Sequence, residues 1–193
     1  GAIPGELQLI RFAAAWFGLV LGACASPGLA PEADAQTRTQ TLPVGEWVRI
    51  TPEPIMSGFQ RLSATCSDAP GSDPAYSFWA RQGTGDGLVI FFDGGGACWD
   101  DLTCSVPWLA SGRPDDGFYK AEILPGDDPH RFGGIFRVED ERNPVRDWSF
   151  IYVPYCTGDV HLGSNTTQYR DVDSGEAFAI RHRGADNFRV VLA

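Results

Sequence analysis

At 193 residues, 43% apolar and 21% charged, the chain has the size and balance of about one soluble globular domain, which argues against long disorder and against a helical membrane bundle. Fifteen basic against 25 acidic residues give a net charge of −10, a sign that repels phosphate backbones and anionic headgroups and so argues against nucleic-acid binding and polybasic membrane attachment. The 23 glycines and 14 prolines point to a loop-rich fold rather than a helix bundle.

Residues 12–23 form an uncharged apolar run behind Arg11, too short to cross a bilayer comfortably and of the length of a signal-peptide hydrophobic region. The run ends Leu21-Gly22-Ala23-Cys24, a large aliphatic residue, two small ones and a cysteine. That order resembles the bacterial lipobox, whose thiol is lipidated and becomes the mature N-terminus. Plain signal-peptidase cleavage, with Cys24 unmodified, is the alternative, and either reading exports the protein to the cell envelope or beyond. Residues 1–23 therefore read as a signal peptide and 24–56 as a lipidated N-terminus with a flexible tether, rich in Ala, Pro, Thr and Gln over 25–45. The domain proper is then 57–193. With no initiating Met and one basic residue ahead of the apolar run, the true start is expected to be missing.

The segments 58–66 and 76–81 carry short alternating apolar patterns and predict strands joined by the Pro/Gly/Asp turn at 68–74. Leu88 to Phe92 is apolar on both faces and predicts a strand buried inside a sheet. Phe150 to Val153, with Trp148 just ahead, repeats the pattern and ends on Pro154-Tyr155-Cys156. Between them, residues 107–147 are polar and rich in Pro, Gly and Asp, as expected for a long excursion over one end of the sheet. Phe188, Val191 and Leu192 fall at i, i+3, i+4 and predict an amphipathic helix that the sequence leaves unfinished at Ala193, so the chain reads as a fragment.

With Cys24 set aside, Cys66, Cys98, Cys104 and Cys156 remain, an even number in a compartment where disulfides persist. Three connectivities are possible. Cys98 and Cys104 lie close across a loop and are natural partners, which leaves Cys66 with Cys156. On the chain-entropy argument the short loop contributes about 2 kcal/mol and the long one about 4–5 kcal/mol. Zinc is the competing reading, but no Cys-x-x-Cys pair occurs and no histidine adjoins a cysteine pair, so no metal site is expected.

The chemistry concentrates in FFDGGGACWDD, residues 91–101. A strand that runs into three consecutive glycines can expose successive backbone N–H groups with no side chain in the way, and such donors can hold a developing oxyanion. A plain flexible turn is the alternative. In alpha/beta hydrolases a loop in this place supplies half of the oxyanion hole, the other half coming from the residue after the nucleophile.

Two blocks in order, GGGACWDDLTC at 94–104 and NPVRDWSFIYVPYCTGDVHLGSNTT at 143–167, resemble the pectin acetylesterase and Notum family of serine esterases. Arg183-Gly184-Ala185-Asp186-Asn187 is a weaker third match, and Cys66 sits where that family often places an early half-cystine. The resemblance spans roughly 57–193. It implies an α/β fold, the N-terminal part of an alpha/beta-hydrolase sheet, truncated before the nucleophile strand, with a Ser-Asp-His triad and no cofactor. It also implies deacylation of small carboxylic esters, polysaccharide acetyl esters among them. On the matched positions Gly95 and Gly96 become the oxyanion donors and Gly94 the turn.

No Gly-x-Ser-x-Gly occurs in the sequence: Ser57, Ser72, Ser111, Ser164 and Ser174 all lack the glycine pair. The triad is therefore expected outside these residues, and the chain alone is expected to be inactive. Trp99 is either a wall of the substrate pocket or a surface-loop anchor. Asp159, in the pair Asp159-x-His161, is either a substrate contact or part of a solvated loop. His130 and His182 lie in polar, Arg-flanked contexts and read as surface residues. Asp171 to Gly175 faintly resembles a calcium loop without its further acids, and Asn165-Thr166-Thr167 has the form of a glycosylation acceptor. A non-catalytic, Trp-rich carbohydrate-binding or structural lipoprotein is the second function class. The expected partner is an ester substrate, with contact to the membrane only through a lipid anchor, and the protein is expected to be a monomer.

Overall fold

Short strands separated by glycine- and proline-bearing turns dominate the computed structural model, which describes residues 41–109 and 117–193. The signal-peptide and Cys24 expectations, and Ser111, lie outside the described residues. In chain order the elements are β1 (Trp47–Ile50), β2 (Ile55–Ser57), β3 (Gln60–Leu62), β4 (Phe78–Arg81), β5 (Leu88–Phe92), α1 (Asp101–Ser105), β6 (Pro107–Trp108), β7 (Tyr119–Lys120), β8 (Ser149–Val153), β9 (Asn165–Arg170), β10 (Ala177–His182) and α2 (Gly184–Val191). Two single 3-10 turns, Pro129–Arg131 and Gly134–Phe136, lie between β7 and β8.

The central sheet is mixed, in the order β1-β4-β8-β5. β4 runs antiparallel to both β1 and β8, while β5 and β8 are parallel, with Ile90 opposite Ile151. A mixed sheet with few helices is compatible with the α/β class. Among the described residues no helix is long and apolar enough to cross a membrane.

Four expectations are corrected. β1 lies inside the stretch assigned to the tether: Gly45 donates to the Gln82 carbonyl at 2.8 Å and Trp47 packs on Phe136 and Phe150, so sheet order begins well before residue 57. The four residues of β1 are too few for a pattern to announce. The strands at 60–62 and 78–81 do not pair with each other; β3 pairs with β2. Among the described residues β5 is an edge of the sheet, not its interior: β8 alone pairs with it, and Leu88 and Phe92 are exposed. The polar segment 107–147 covers a face of the sheet as well as its end, because Phe132 and Phe136 pack on Phe91 and Tyr152. It also sends Tyr119 and Ala121 fully into the core.

The helix expected near the C-terminus is α2, which buries Val190 and Val191. Arg183 at its N-cap gives no side-chain cap; the N–H of Gly184 is taken by Asp159 Oδ2 at 2.7 Å. Asn187 exchanges two hydrogen bonds with the backbone of Thr65, at 2.9 and 2.8 Å, fixing α2 against the start of the Cys66 segment.

Candidate active site

Beyond β5 the chain stays in register for one residue, Asp93 donating to the Val153 carbonyl at 3.0 Å, and then enters the glycines. Lys120 N–H donates to Gly95 O at 2.7 Å and Ala97 N–H to Phe118 O at 3.1 Å, so Gly96 lies flat against Tyr119 of β7. Cys98 N–H donates to Gly158 O at 2.9 Å and closes the loop on the segment after β8.

Two of the three glycines are obligatory. A Cβ on Gly95 would stand 2.4 Å from the Tyr155 ring and 2.7 Å from Lys120 Cε. Gly96 has φ +73°, and a Cβ there would meet the Phe118 carbonyl oxygen. Gly94 has no neighbour within 4 Å of its Cβ position. Among the described residues, no acceptor takes the N–H of Gly94, Gly95 or Gly96. The peptide unit is planar and trans, so anchoring the Gly95 carbonyl on Lys120 turns the Gly96 N–H the opposite way, off β7. Three successive unpaired donors on a braced loop can receive an anionic oxygen.

A buried charge cluster supports this loop from beneath. Lys120 Nζ pairs with Asp93 and, at 2.9 Å, with Asp127 Oδ1; Asp127 Oδ2 also accepts the Leu124 N–H at 2.8 Å. Side-chain exposure is 7% for Lys120, 19% for Asp93 and 9% for Asp127, so the cation is held in a desolvated place by two carboxylates.

The segment after β8 forms the second wall. Tyr155 is buried, its hydroxyl accepts the Val160 N–H at 3.0 Å, and burial pushes that hydroxyl up to about 12. Asp159 commits both oxygens to the fold: Oδ1 accepts from Thr157 Oγ1 (2.6 Å) and His161 N (3.1 Å), Oδ2 from Gly163 N (3.0 Å) and Gly184 N (2.7 Å). With four hydrogen bonds to its own loop and to the start of α2, this carboxylate organises the loop. His161, the second member of the Asp159-x-His161 pair, reaches the glycine loop directly, with Nε2 2.9 Å from the Asp93 carbonyl oxygen.

Both expected disulfides are present, Cys66–Cys156 with Cα atoms 5.0 Å apart and Cys98–Cys104 with 4.9 Å. The second joins the end of the glycine loop to α1, whose first turn closes by a capping box: Asp100 accepts from Thr103 N at 2.8 Å while Thr103 Oγ1 accepts from Asp100 N at 3.2 Å. Trp99 stands out from this turn, 69% exposed.

His182, expected at the surface, is buried. Its Nδ1 lies 2.9 Å from Thr157 O and its Nε2 3.0 Å from the Tyr169 hydroxyl. It comes beside Cys98 and Cys104, ligand atoms within 4.8 Å, a closeness that sequence distance conceals. The two sulfurs are joined to each other and both ring nitrogens are engaged, so the set offers no ready donors to a metal. His130 is exposed and pairs with Asp128 at 2.7 Å. Asp171 Oδ1 accepts from Ser174 N (2.7 Å) and Asp173 N (3.1 Å), closing the β9–β10 hairpin. Asn165 opens β9 at the surface.

Lys120 and Asp127 lie outside the blocks that carry the resemblance and have no local signature; Tyr155 and His161 lie inside the second block, but the contacts that place them cross the chain. A family model described as Pectinacetylesterase matches residues 51–193, well over half of the chain, and the chain belongs to that family. No curated protein matches it.

Proposed function

We propose that this member of the pectinacetylesterase family is an exported serine-type carboxylic ester hydrolase that removes O-acetyl groups from a polysaccharide, and that residues 57–193 supply the oxyanion-binding part of its site. The observation that carries the reading is the glycine loop, whose three N–H groups lack acceptors among the described residues while the loop itself is pinned by Lys120, Phe118 and Gly158. As an ester carbonyl is attacked, an electron pair moves onto its oxygen. Donors already aimed at that oxygen stabilise the tetrahedral state, and each is worth about 10² to 10³ in kcat.

In this reading Gly95 and Gly96 donate and Gly94 sets the turn. Trp99, exposed beside the disulfide, borders the substrate. The Ser-Asp-His triad implied by the family lies outside these 193 residues, in agreement with the absence of any Gly-x-Ser-x-Gly. The outer edge of β5, unpaired among the described residues, is a place for a further strand. Export rests on the apolar run at 12–23 and the lipobox-like end at Cys24, which would tether a monomeric enzyme by lipid alone.

The test is hydrolysis of p-nitrophenyl acetate, and acetate release from acetylated pectin, by the full-length protein and by residues 41–193 alone. The full-length protein is expected to turn over both, with complete loss after a serine-directed phosphonate, and residues 41–193 to be inert. Phosphonate-sensitive turnover by residues 41–193 would contradict the placement of the triad. Binding of acetylated polysaccharide without turnover by the full-length protein would favour a carbohydrate-binding lipoprotein instead.

A further inference from the structure

We propose that His161 is a positioning residue of the glycine loop: its Nε2–H holds the Asp93 carbonyl and thereby fixes the Asp93–Gly94 peptide, from which the turn at Gly94 leads into the donors Gly95 and Gly96. The inference rests on the oxyanion reading above and extends it to a residue outside the loop.

A carbonyl only accepts, so the 2.9 Å contact places a proton on Nε2 and leaves Nδ1, in the neutral ring, as the acceptor nitrogen. The Asp93 N–H before this peptide is held in the sheet by Val153, and the Gly95 carbonyl after it by Lys120. Between them, the Asp93 carbonyl has no partner but His161 among the described residues, and nothing packs within 4 Å of the Gly94 Cβ position. The plane of this peptide is therefore set by one hydrogen bond in a stretch that glycine leaves free to rotate. Because the peptide is planar, holding its oxygen fixes the plane from which Gly94 turns the chain, and with the Gly95 carbonyl anchored on Lys120 this sets where the N–H groups of Gly95 and Gly96 point.

The backbone that delivers the ring is itself unusual. Val160 and His161 have φ of +49° and +62°, a left-handed pair without glycine, which costs energy and persists only where neighbours over-determine it. They do so here. Tyr155 Oη takes the Val160 N–H, Asp159 takes those of His161, Gly163 and Gly184, and a Cβ on Gly184 would lie 2.5 Å from His161 Cα. The ring is then fixed edge-on by Phe92 and Tyr155, with centroids 5.0 and 4.9 Å away. Packing alone would accept any flat ring at this position; the contact to Asp93 requires an N–H.

Two substitutions in the full-length protein separate those roles. His161→Phe keeps a ring and removes the donor, whereas His161→Gln offers an amide N–H at about the position of Nε2. His161→Phe is expected to lower kcat about 10-fold or more with KM within about two-fold, and His161→Gln to stay within about three-fold of the parent. A second readout needs no activity: the amide resonances of Gly94, Gly95 and Gly96 are expected to shift and exchange faster in His161→Phe and to return in His161→Gln. An unchanged kcat with unchanged glycine amides in His161→Phe, or equal damage in both variants, would overturn the proposal. So would nitrogen shifts in the unsubstituted protein showing the proton of the neutral ring on Nδ1, a measurement that stands even if His161→Phe does not fold. If the parent shows no ester hydrolysis, the functional reading fails, while the glycine amides still decide the role of His161.

Discussion

Lys120→Met is the perturbation that most exposes how the loop is supported. The substitution keeps most of the side-chain volume but removes the cation from between Asp93 and Asp127, whose carboxylates are 19% and 9% exposed. Breaking a buried pair leaves charge uncompensated and costs about 3–5 kcal/mol, whereas a surface lysine would cost within about 0.5 kcal/mol. For a domain of this size a loss of about 4 kcal/mol lowers Tm by roughly 8–16 °C. Because Asp127 also accepts the Leu124 N–H, the turn after β7 loosens with it, and Lys120 itself stands against Gly95. Adding Asp127→Leu should recover part of the loss by removing one of the stranded charges. Calorimetry or denaturant melts of the single and double variants measure both effects. A Lys120→Met variant within about 0.5 kcal/mol of the parent would refute the claim that this cluster is desolvated and structural.

The remaining expectations are narrower. Gly95→Ala should cost about 1–3 kcal/mol, because its methyl meets the Tyr155 ring, whereas Gly94→Ala, with open space around it, should leave Tm nearly unchanged; equal melts would refute the packing. Replacing Cys66 and Cys156 together by Ala should cost about 4–5 kcal/mol in denaturant unfolding and the Cys98/Cys104 pair about 2 kcal/mol, the order following loop length. The backbone N–H and then the hydroxyl of Thr103 hold the exposed Asp100 carboxyl below its ordinary value of 3.8. Being depressed, that group favours the folded turn above its unfolded pKa, and the contribution is lost as pH falls through the folded value. The Thr103 amide shift should therefore titrate below pH 3.8, and a midpoint above it would contradict the cap.

Features with a short-range cause could be read in the sequence. Leu88 to Phe92 and Phe150 to Val153 announce strands because their apolar runs are local, and the two cysteine pairs follow from a short loop and elimination. The glycine triplet shows where donors could be bare, but not why the glycines are needed: Gly95 answers to Tyr155, sixty residues away, and Gly96 to Phe118. The same distance hides Lys120, His161 and the burial of His182, whose polar neighbours in sequence differ from its neighbours in space. β5 reads as interior because both of its faces are apolar, yet one edge and part of one face are uncovered among the described residues. Hydrophobic pattern records what a strand can bury, and pairing decides what it does bury.

The central claim, that the glycine loop binds the oxyanion, is tested most directly by the structure of the full-length protein inhibited with an alkyl phosphonate, whose phosphonyl oxygen stands in for that of the tetrahedral intermediate. The oxygen is expected about 2.7–3.1 Å from the backbone nitrogens of Gly95 and Gly96, with the loop otherwise unmoved. A phosphonyl oxygen held elsewhere, with both glycine nitrogens more than about 3.5 Å away, would contradict the account.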